Sequence, residues 1–242
     1  AAVLAEYVSG GGKLLVCAGA VENGVLENLY SLLEGYGVTV HDGLVVDTDR
    51  THYAFGYPYL LMPDLNSSPA TDSLIEENYF PILPLSLGLT VDADTGTGTV
   101  TSLLTTSDTA ISKAAGYDFT TYDFEEGDAE EPFSLAVSVE DSGGGQIYWF
   151  ASDQFLNELY NAYSSGANLD MAMNALSDLI GESEAMAIRS KSLNYNYLTI
   201  SDSTASLLKA LMVGVFPLAY LAVGIYVVVK RKKVQNETSE AA

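Results

Sequence analysis

The sequence predicts an α/β domain with a mostly parallel sheet, followed by one C-terminal transmembrane helix. Three observations carry this. Short apolar runs of strand length alternate with helical periodicity through the first fifty residues. One stretch near the end, Ala210 to Val229, runs for twenty residues without a charge. The charges also divide the chain: residues 1–204 hold five bases and thirty acids, a net of −25, whereas residues 205–242 hold five bases and two acids, a net of +3.

Ala1 to Val8 has helical spacing, the glycines Gly10 to Gly12 stop it, and KLLVCA from Lys13 to Ala18 has the length of a buried strand. Glu22 to Glu34 places Val25, Leu26, Leu29, Leu32 and Leu33 on one helical face, with Gly35 and Gly37 as the stop. Val38 to Val40 and Gly43 to Val46 read as the next strand. Strand, helix and strand within about 30 residues form a βαβ unit, normally right-handed and parallel. The expected domain is therefore Rossmann-like or amidotransferase-like, with its sheet covered by helices.

Further along, Tyr57 to Met62, Phe80 to Leu89 and Gly98 to Thr106 are strand candidates, and Asp72 to Glu77 is a short helix. Phe133 to Val139 and Gln146 to Ala151 pair across EDSGGG, as an antiparallel hairpin or as neighbouring strands. Asp153 to Tyr163 and Leu169 to Ile180 are the last helices of the domain, and Met186 to Arg189 and Tyr197 to Ile200 are short strands before the span.

About 20 apolar residues cross a hydrocarbon core as helix. Pro217 sits inside the stretch, where a bilayer tolerates it as a kink. Lys230, Arg231, Lys232 and Lys233 follow directly and, by the positive-inside rule, hold the C-terminus in the cytoplasm. The expected organisation is an extracytoplasmic domain over residues 1–204, a membrane helix over 205–229 and a basic cytoplasmic tail over 230–242. A domain this acidic repels phosphate backbones, which excludes nucleic acid as its partner. Apolar residues make up 48% of the chain, enough to build a core and exclude an acidic disordered tail. The chain starts with Ala1 and without a signal-peptide pattern, so it reads as lacking an upstream part.

Cys17 is the sole cysteine and lies in an apolar strand, where a buried structural thiol is the better reading than a nucleophile. His41 and His52 are the only histidines, and neither has an acid two residues on. The glycine runs 10–12 and 143–145 precede strands, whereas a phosphate loop follows a strand and opens a helix. These glycines read as turns. The acidic stretches VVDTDR, VDADTGTG and EEGDAEE complete no calcium loop. No catalytic residue, cofactor or metal ligand is assigned. Sixteen tyrosines, several of them in Tyr53–Tyr59 and Tyr117–Tyr122, invite a glycan-binding reading, although tyrosine is equally a packing residue of strands and loops.

Several stretches in order resemble a known family, the auxiliary membrane subunits of ABC-type transport systems, including the gliding-motility-associated subunit. YVSGGGKLLVCAG, LENLYSLLEGYGVTVHDGLVVD, LLTTS ending at Ser107, GGQIYWFASDQFLN, ANLDMAMNAL and IRSKSLNYNYLTIS before a proline-containing span and KRKK carry the resemblance. It marks Ser107, Asp153, Asn157, Asn168 and Asn174 as family-motif positions. Ala151-Ser152-Asp153 stands where the family often has "GdsdF", and Ser177-Asp178 where it often has a tryptophan. The resemblance implies a non-catalytic subunit beside a separate permease and ATPase. Gly214, Ala219, Ala222 and Gly224 would allow close helix contact with such a permease. The alternative is an extracytoplasmic ligand-binding or sensor module for glycan or peptide.

Overall fold

The computed structural model describes residues 1–22, 24–92, 96–181 and 202–240. Contacts divide the chain into two units, Ala1–Tyr197 and Leu198–Ala242. The expected strands at Met186–Arg189 and Tyr197–Ile200, the stretch IRSKSLNYNYLTIS and Asp94 lie outside the described residues.

In chain order the first unit contains α1 (Ala2–Ser9), β1 (Lys13–Cys17), α2 (Glu27–Glu34), β2 (Val38–Asp47), β3 (Leu60–Leu61), β4 (Asp64–Leu65), α3 (Asp72–Glu77), β5 (Leu83–Pro84), β6 (Leu87–Val91), β7 (Gly98–Thr105), β8 (Ala110–Lys113), β9 (Ala129–Glu130), β10 (Ser134–Asp141), β11 (Gln146–Phe150), α4 (Glu158–Tyr163) and α5 (Ala167–Ile180). Nine of these strands form one sheet among the described residues, in the order β1-β11-β10-β6-β2-β8-β9, with β7 also on β10 and β4 on β7. The fold is mixed α/β.

The sheet is mostly antiparallel, which corrects the parallel, Rossmann-like expectation. Among the described residues β1 and β11 are the one parallel pair, from Lys13↔Gln146 to Cys17↔Phe150. β10 runs antiparallel to β11, to β7 and to β6, and β2 antiparallel to β6 and β8. Three strands separate β1 from β2, so the apparent βαβ unit is a long crossover between strands of opposite direction. Unbroken apolar runs such as β11, buried at all five positions, suggested a parallel sheet. They report only that both faces are covered, and an antiparallel strand between two layers satisfies that equally.

The two layers are visible in the alternation of β11. Ile147, Trp149 and Ala151 join Val8, Tyr30, Leu33 and Leu89 in one core, under α1 and α2. Tyr148 and Phe150 join Leu104, Leu135, Met171, Ala175 and Leu179 in the other, against α3 and α5. Leu135 and Ala136 of β10 both face this second core, because the pairing with β7 shifts register at Ala136. Asp178 ties α5 to the sheet, accepting from Gln146 Nε2 at 2.7 Å and Tyr148 Oη at 2.9 Å.

The hairpin turn at Gly143–Gly145 packs under the end of α1. A Cβ on Gly145 would lie 1.9 Å from the Val8 carbonyl oxygen. Gly145→Ala should therefore push α1 off the turn and lower stability by about 1–3 kcal/mol, measured as a shift in the denaturant midpoint of Trp149 fluorescence.

The second unit is one uninterrupted helical path: α6 (Asp202–Ala210), a π-turn over Leu211–Val215 and α7 (Phe216–Glu240). Pro217 has no N–H for the carbonyl one turn back, and its ring crowds that carbonyl. The wider i→i+5 turn just before it accommodates both effects. Ser203–Arg231 is long and apolar enough to cross a membrane; its most apolar 18 residues have mean hydropathy 2.3 and none of them is buried.

Candidate functional site

The five family-motif positions are engaged in separate packing tasks. Ser107 donates through its N–H (2.9 Å) and hydroxyl (2.6 Å) to the carboxylate of Asp47, which is fully buried at the end of β2 and also accepts from Asp49 N at 2.9 Å. Asn157 is the N-cap of α4 and accepts from Leu159 N at 3.0 Å. Asn168 is fully buried and reads both polar groups of Ile82, accepting from its N–H and donating to its carbonyl, each at 2.8 Å. Its amide donates also to the Phe155 carbonyl at 2.7 Å. Asn174 donates to the Ala70 carbonyl and to Ser73 Oγ. Asp153 and Asn157 are exposed, and Asp153 lies just past the carboxyl end of β11, where its Oδ2 accepts from Gln154 Nε2 at 3.0 Å.

Open α/β sheets bind ligands at the carboxyl ends of parallel strands, which here means the loops after β1 and β11. Two phenols close this end of the sheet. Tyr30 Oη donates to the Gly19 carbonyl at 2.9 Å, and Tyr117 Oη to the Ala20 carbonyl at 3.2 Å. A Cβ on Gly19 would lie 2.8 Å from Asp153 N, so the two loops are in direct backbone contact. Burial first, and then the charges of Asp42 and Asp153, push the Tyr30 phenol up to about 12, which keeps it a donor. Tyr117 is raised in the same way, by burial and then by Asp153 and Glu22.

Burial pushes the Cys17 thiol up to about 11, far from the depressed values of reactive thiolates. Both histidines face carboxylates. His41 Nε2 lies 3.1 Å from Glu131 Oε1 and 2.8 Å from Thr90 Oγ1, and His52 Nε2 lies 3.3 Å from Asp64 Oδ2. Asp49 is held below its ordinary value by the N–H and hydroxyl of Thr51, which outweigh its desolvation. Among the described residues no group of three or more His, Cys, Asp or Glu is arranged to hold a metal ion. In EEGDAEE, Glu125 and Asp128 are spent on Lys113, the fully buried end of β8, at 2.9 and 2.5 Å.

The surface feature that stands out is aromatic. Ala54, Leu60, Met62 and Ile82 form a small satellite core, and Tyr59, Tyr160 and Tyr163 pack on it. Tyr160 and Tyr163 meet edge to face at 6.1 Å. Phe55 lies 4.6 Å from Tyr163, and Tyr57 lies 5.6 Å from Tyr59, measured between ring centroids. Burial, and then the charges of Tyr122, Tyr57 and Tyr160, raise the Tyr59 phenol. Two segments share the patch. One is the tyrosine-rich stretch Tyr53–Tyr59; the other, on α4, carries its rings three residues apart, a helical i, i+3 spacing that was the available signal for it.

No family model matches the chain, and no curated protein matches it. Among solved structures the mmIFT52 N-terminal domain is similar, with a TM-score of 0.52 and 16% identity over 78% of this chain and 72% of that one. At that identity the likeness concerns the fold alone.

Proposed function

We propose that this chain is a non-catalytic auxiliary subunit of an ABC-type transport system, of the gliding-motility-associated kind, anchored in the membrane beside a separate permease and ATPase. The observation that carries the reading is the apolar helix Ser203–Arg231, none of it buried, in the same chain as an α/β domain with its own two-sided core. The order of the family-like stretches supports it. In this reading the α/β domain is extracytoplasmic, and Lys230, Arg231, Lys232 and Lys233 mark the cytoplasmic end of the span. Apolar side chains exposed around the helix have no place in water; lipid and a permease helix supply their surroundings.

Isolation in mild detergent from its native membrane tests the assignment. A permease and an ATPase should co-purify with the chain in fixed ratio, and repeated recovery as a lone monomer would overturn the reading. Orientation has its own test on the same preparation. A cysteine placed at position 239 by Ser239→Cys, in a Cys17→Ala background, should react with a membrane-impermeant maleimide only after the cells are opened.

A further inference from the structure

We propose that this chain forms a two-fold homodimer in which β1 pairs antiparallel with the β1 of a second copy, continuing the sheet from one domain into the other, while α5 packs on the α5 of that copy. The inference goes beyond the transport reading and does not rest on it.

The first ground is an open strand edge. β1 ends the strand order, and β11 is its one neighbour among the described residues. Gln146 N donates to the Gly12 carbonyl and Ala18 N to the Phe150 carbonyl. In this parallel register Leu14 and Val16 turn their backbone groups to β11, whereas Lys13, Leu15 and Cys17 turn theirs outward. Among the described residues nothing pairs with those outward N–H and C=O groups. Such a row is a template for another strand, and proteins usually blunt it with proline, a bulge, charge or shortness. β9, at the other end of the order, is two residues long. β1 has five, with no proline, no bulge and Lys13 as its sole charge.

The second ground is an apolar helix face beside that edge. The exposed positions of α5 are Leu169, Met173, Leu176 and Ile180, and all four are apolar. Their 4-3-4 spacing lines them along one seam. α5 packs on β1. On the side of α3 it is tied down by Asn174, which donates to the Ala70 carbonyl and Ser73 Oγ, and α3 sits inward, with Leu74 in the core that holds Leu103 and Leu104 of β7. Each residue turns a helix by about 100°, which sets Asn174 about 130° round from the seam. The seam therefore lies on the flank of α5 that borders the open edge.

Edge and seam run along the same border of the domain, so one occupant must supply both a strand and an apolar helix. A second copy has both at the matching spacing. A two-fold axis at Leu15, perpendicular to the sheet, sets Leu15 against Leu15 and Lys13 against Cys17 of the other copy, and brings the two α5 helices together antiparallel on one face. Neither the edge nor the seam carries a carboxylate, so two domains of net charge −25 meet here without opposing acids.

The full chain in its native membrane should be oxidised with copper phenanthroline. Lys13→Cys should give a covalent dimer, because the introduced thiol faces Cys17 of the second copy in a pair with Cα atoms about 5.5 Å apart, within disulfide reach. Within one copy the two positions lie about 13 Å apart along the strand and cannot be bridged. Adding Cys17→Ala should abolish the covalent dimer. Independently, Met173→Glu with Leu176→Glu should weaken dimerisation about tenfold or more, by placing acids in an apolar seam against their own copies. Light scattering of the detergent-solubilised chain over a dilution series reads that change, with Trp149 emission unchanged because both positions are exposed. The mass of a single copy at every concentration, no covalent dimer of Lys13→Cys, a covalent dimer that survives Cys17→Ala, or glutamates that leave the mass unchanged would each overturn the proposal. So would a cross-link from position 13 to a different protein, which would assign the edge to a strand of that partner.

Discussion

Lys113→Met should lower the stability of the α/β domain by on the order of 3 kcal/mol. Lys113 ends β8 with its side chain fully buried, and its ammonium donates to Glu125 Oε2 at 2.9 Å, Asp128 Oδ2 at 2.5 Å and the Asp123 carbonyl at 2.7 Å. Asp128, 3% exposed at its side chain, also accepts from Ala114 N and Glu125 N, both at 2.9 Å. Methionine keeps the stem and deletes the charge, which strands the Asp128 carboxylate and frees the loop between β8 and β9. Trp149 is the chain's single tryptophan and is fully buried in the α/β domain, so its fluorescence in a urea titration reads the loss directly. The pair also fixes two pH limits. Desolvation would raise Asp128, but the bonds from Lys113, Ala114 and Glu125 outweigh it and hold its carboxyl below the ordinary 3.8. A depressed carboxyl stabilises fully above its unfolded value and loses that contribution as pH falls through its folded one, so this part of the stability disappears below about pH 4. Lys113 is drawn down by desolvation, yet the bonds and charges of Asp128 and Glu125 leave it above 10.5. Its contribution is present below that value and is lost as pH rises through the raised one. In the Lys113→Met protein the acid-side loss attributable to the pair should vanish.

Several elements were legible because they rest on local pattern. Asp72–Glu77 is a helix at the expected bounds, and the hairpin of Ser134–Asp141 with Gln146–Phe150 follows from two apolar runs around a glycine-rich turn. What stayed hidden was pairing. β10 meets β7 from Ser134↔Thr105 to Asp141↔Gly98 across a long intervening loop, and no local pattern names that partner. The break expected between Val40 and Gly43 is absent because β2 runs on from Val38 to Asp47, and the interruption appears instead as a register shift between Val40 and Leu44. The strand Ala110–Lys113 was missed, since a serine and a lysine do not mark a buried strand. Lys113 is inside only because two carboxylates from the following loop accompany it. The first helix after β1 is shorter than its apolar face suggested: it starts at Glu27, after a Val21↔Gly24 bridge, and leaves Val25 and Leu26 exposed. The aromatic platform was half legible. Its loop segment Tyr53–Tyr59 is a tyrosine-rich run, but its union with Tyr160 and Tyr163 rests on contacts more than a hundred residues apart, such as Phe55 on Tyr163.

The double substitution Leu218→Arg, Leu221→Arg should abolish membrane association, whereas Leu221→Arg alone should not. Eleven of the twenty residues from Ala210 to Val229 are Leu, Ile, Val or Phe, each favouring insertion by about 0.3–0.6 kcal/mol, which gives a total near −5 kcal/mol. One arginine near the middle opposes insertion by about 3 kcal/mol and leaves the sum on the side of the membrane; two bring it to the side of water. Leu218 and Leu221 are both exposed, so neither arginine replaces a buried side chain among the described residues. Flotation of expressed protein on a density gradient measures the outcome, with the wild-type and single-arginine chains rising with lipid and the double variant staying at the bottom. Trp149 fluorescence should be unchanged in all three, since both substitutions lie in the second unit. Flotation of the double variant would show that a surface other than this helix holds the chain to the bilayer, and would remove the foundation of the anchored-subunit reading.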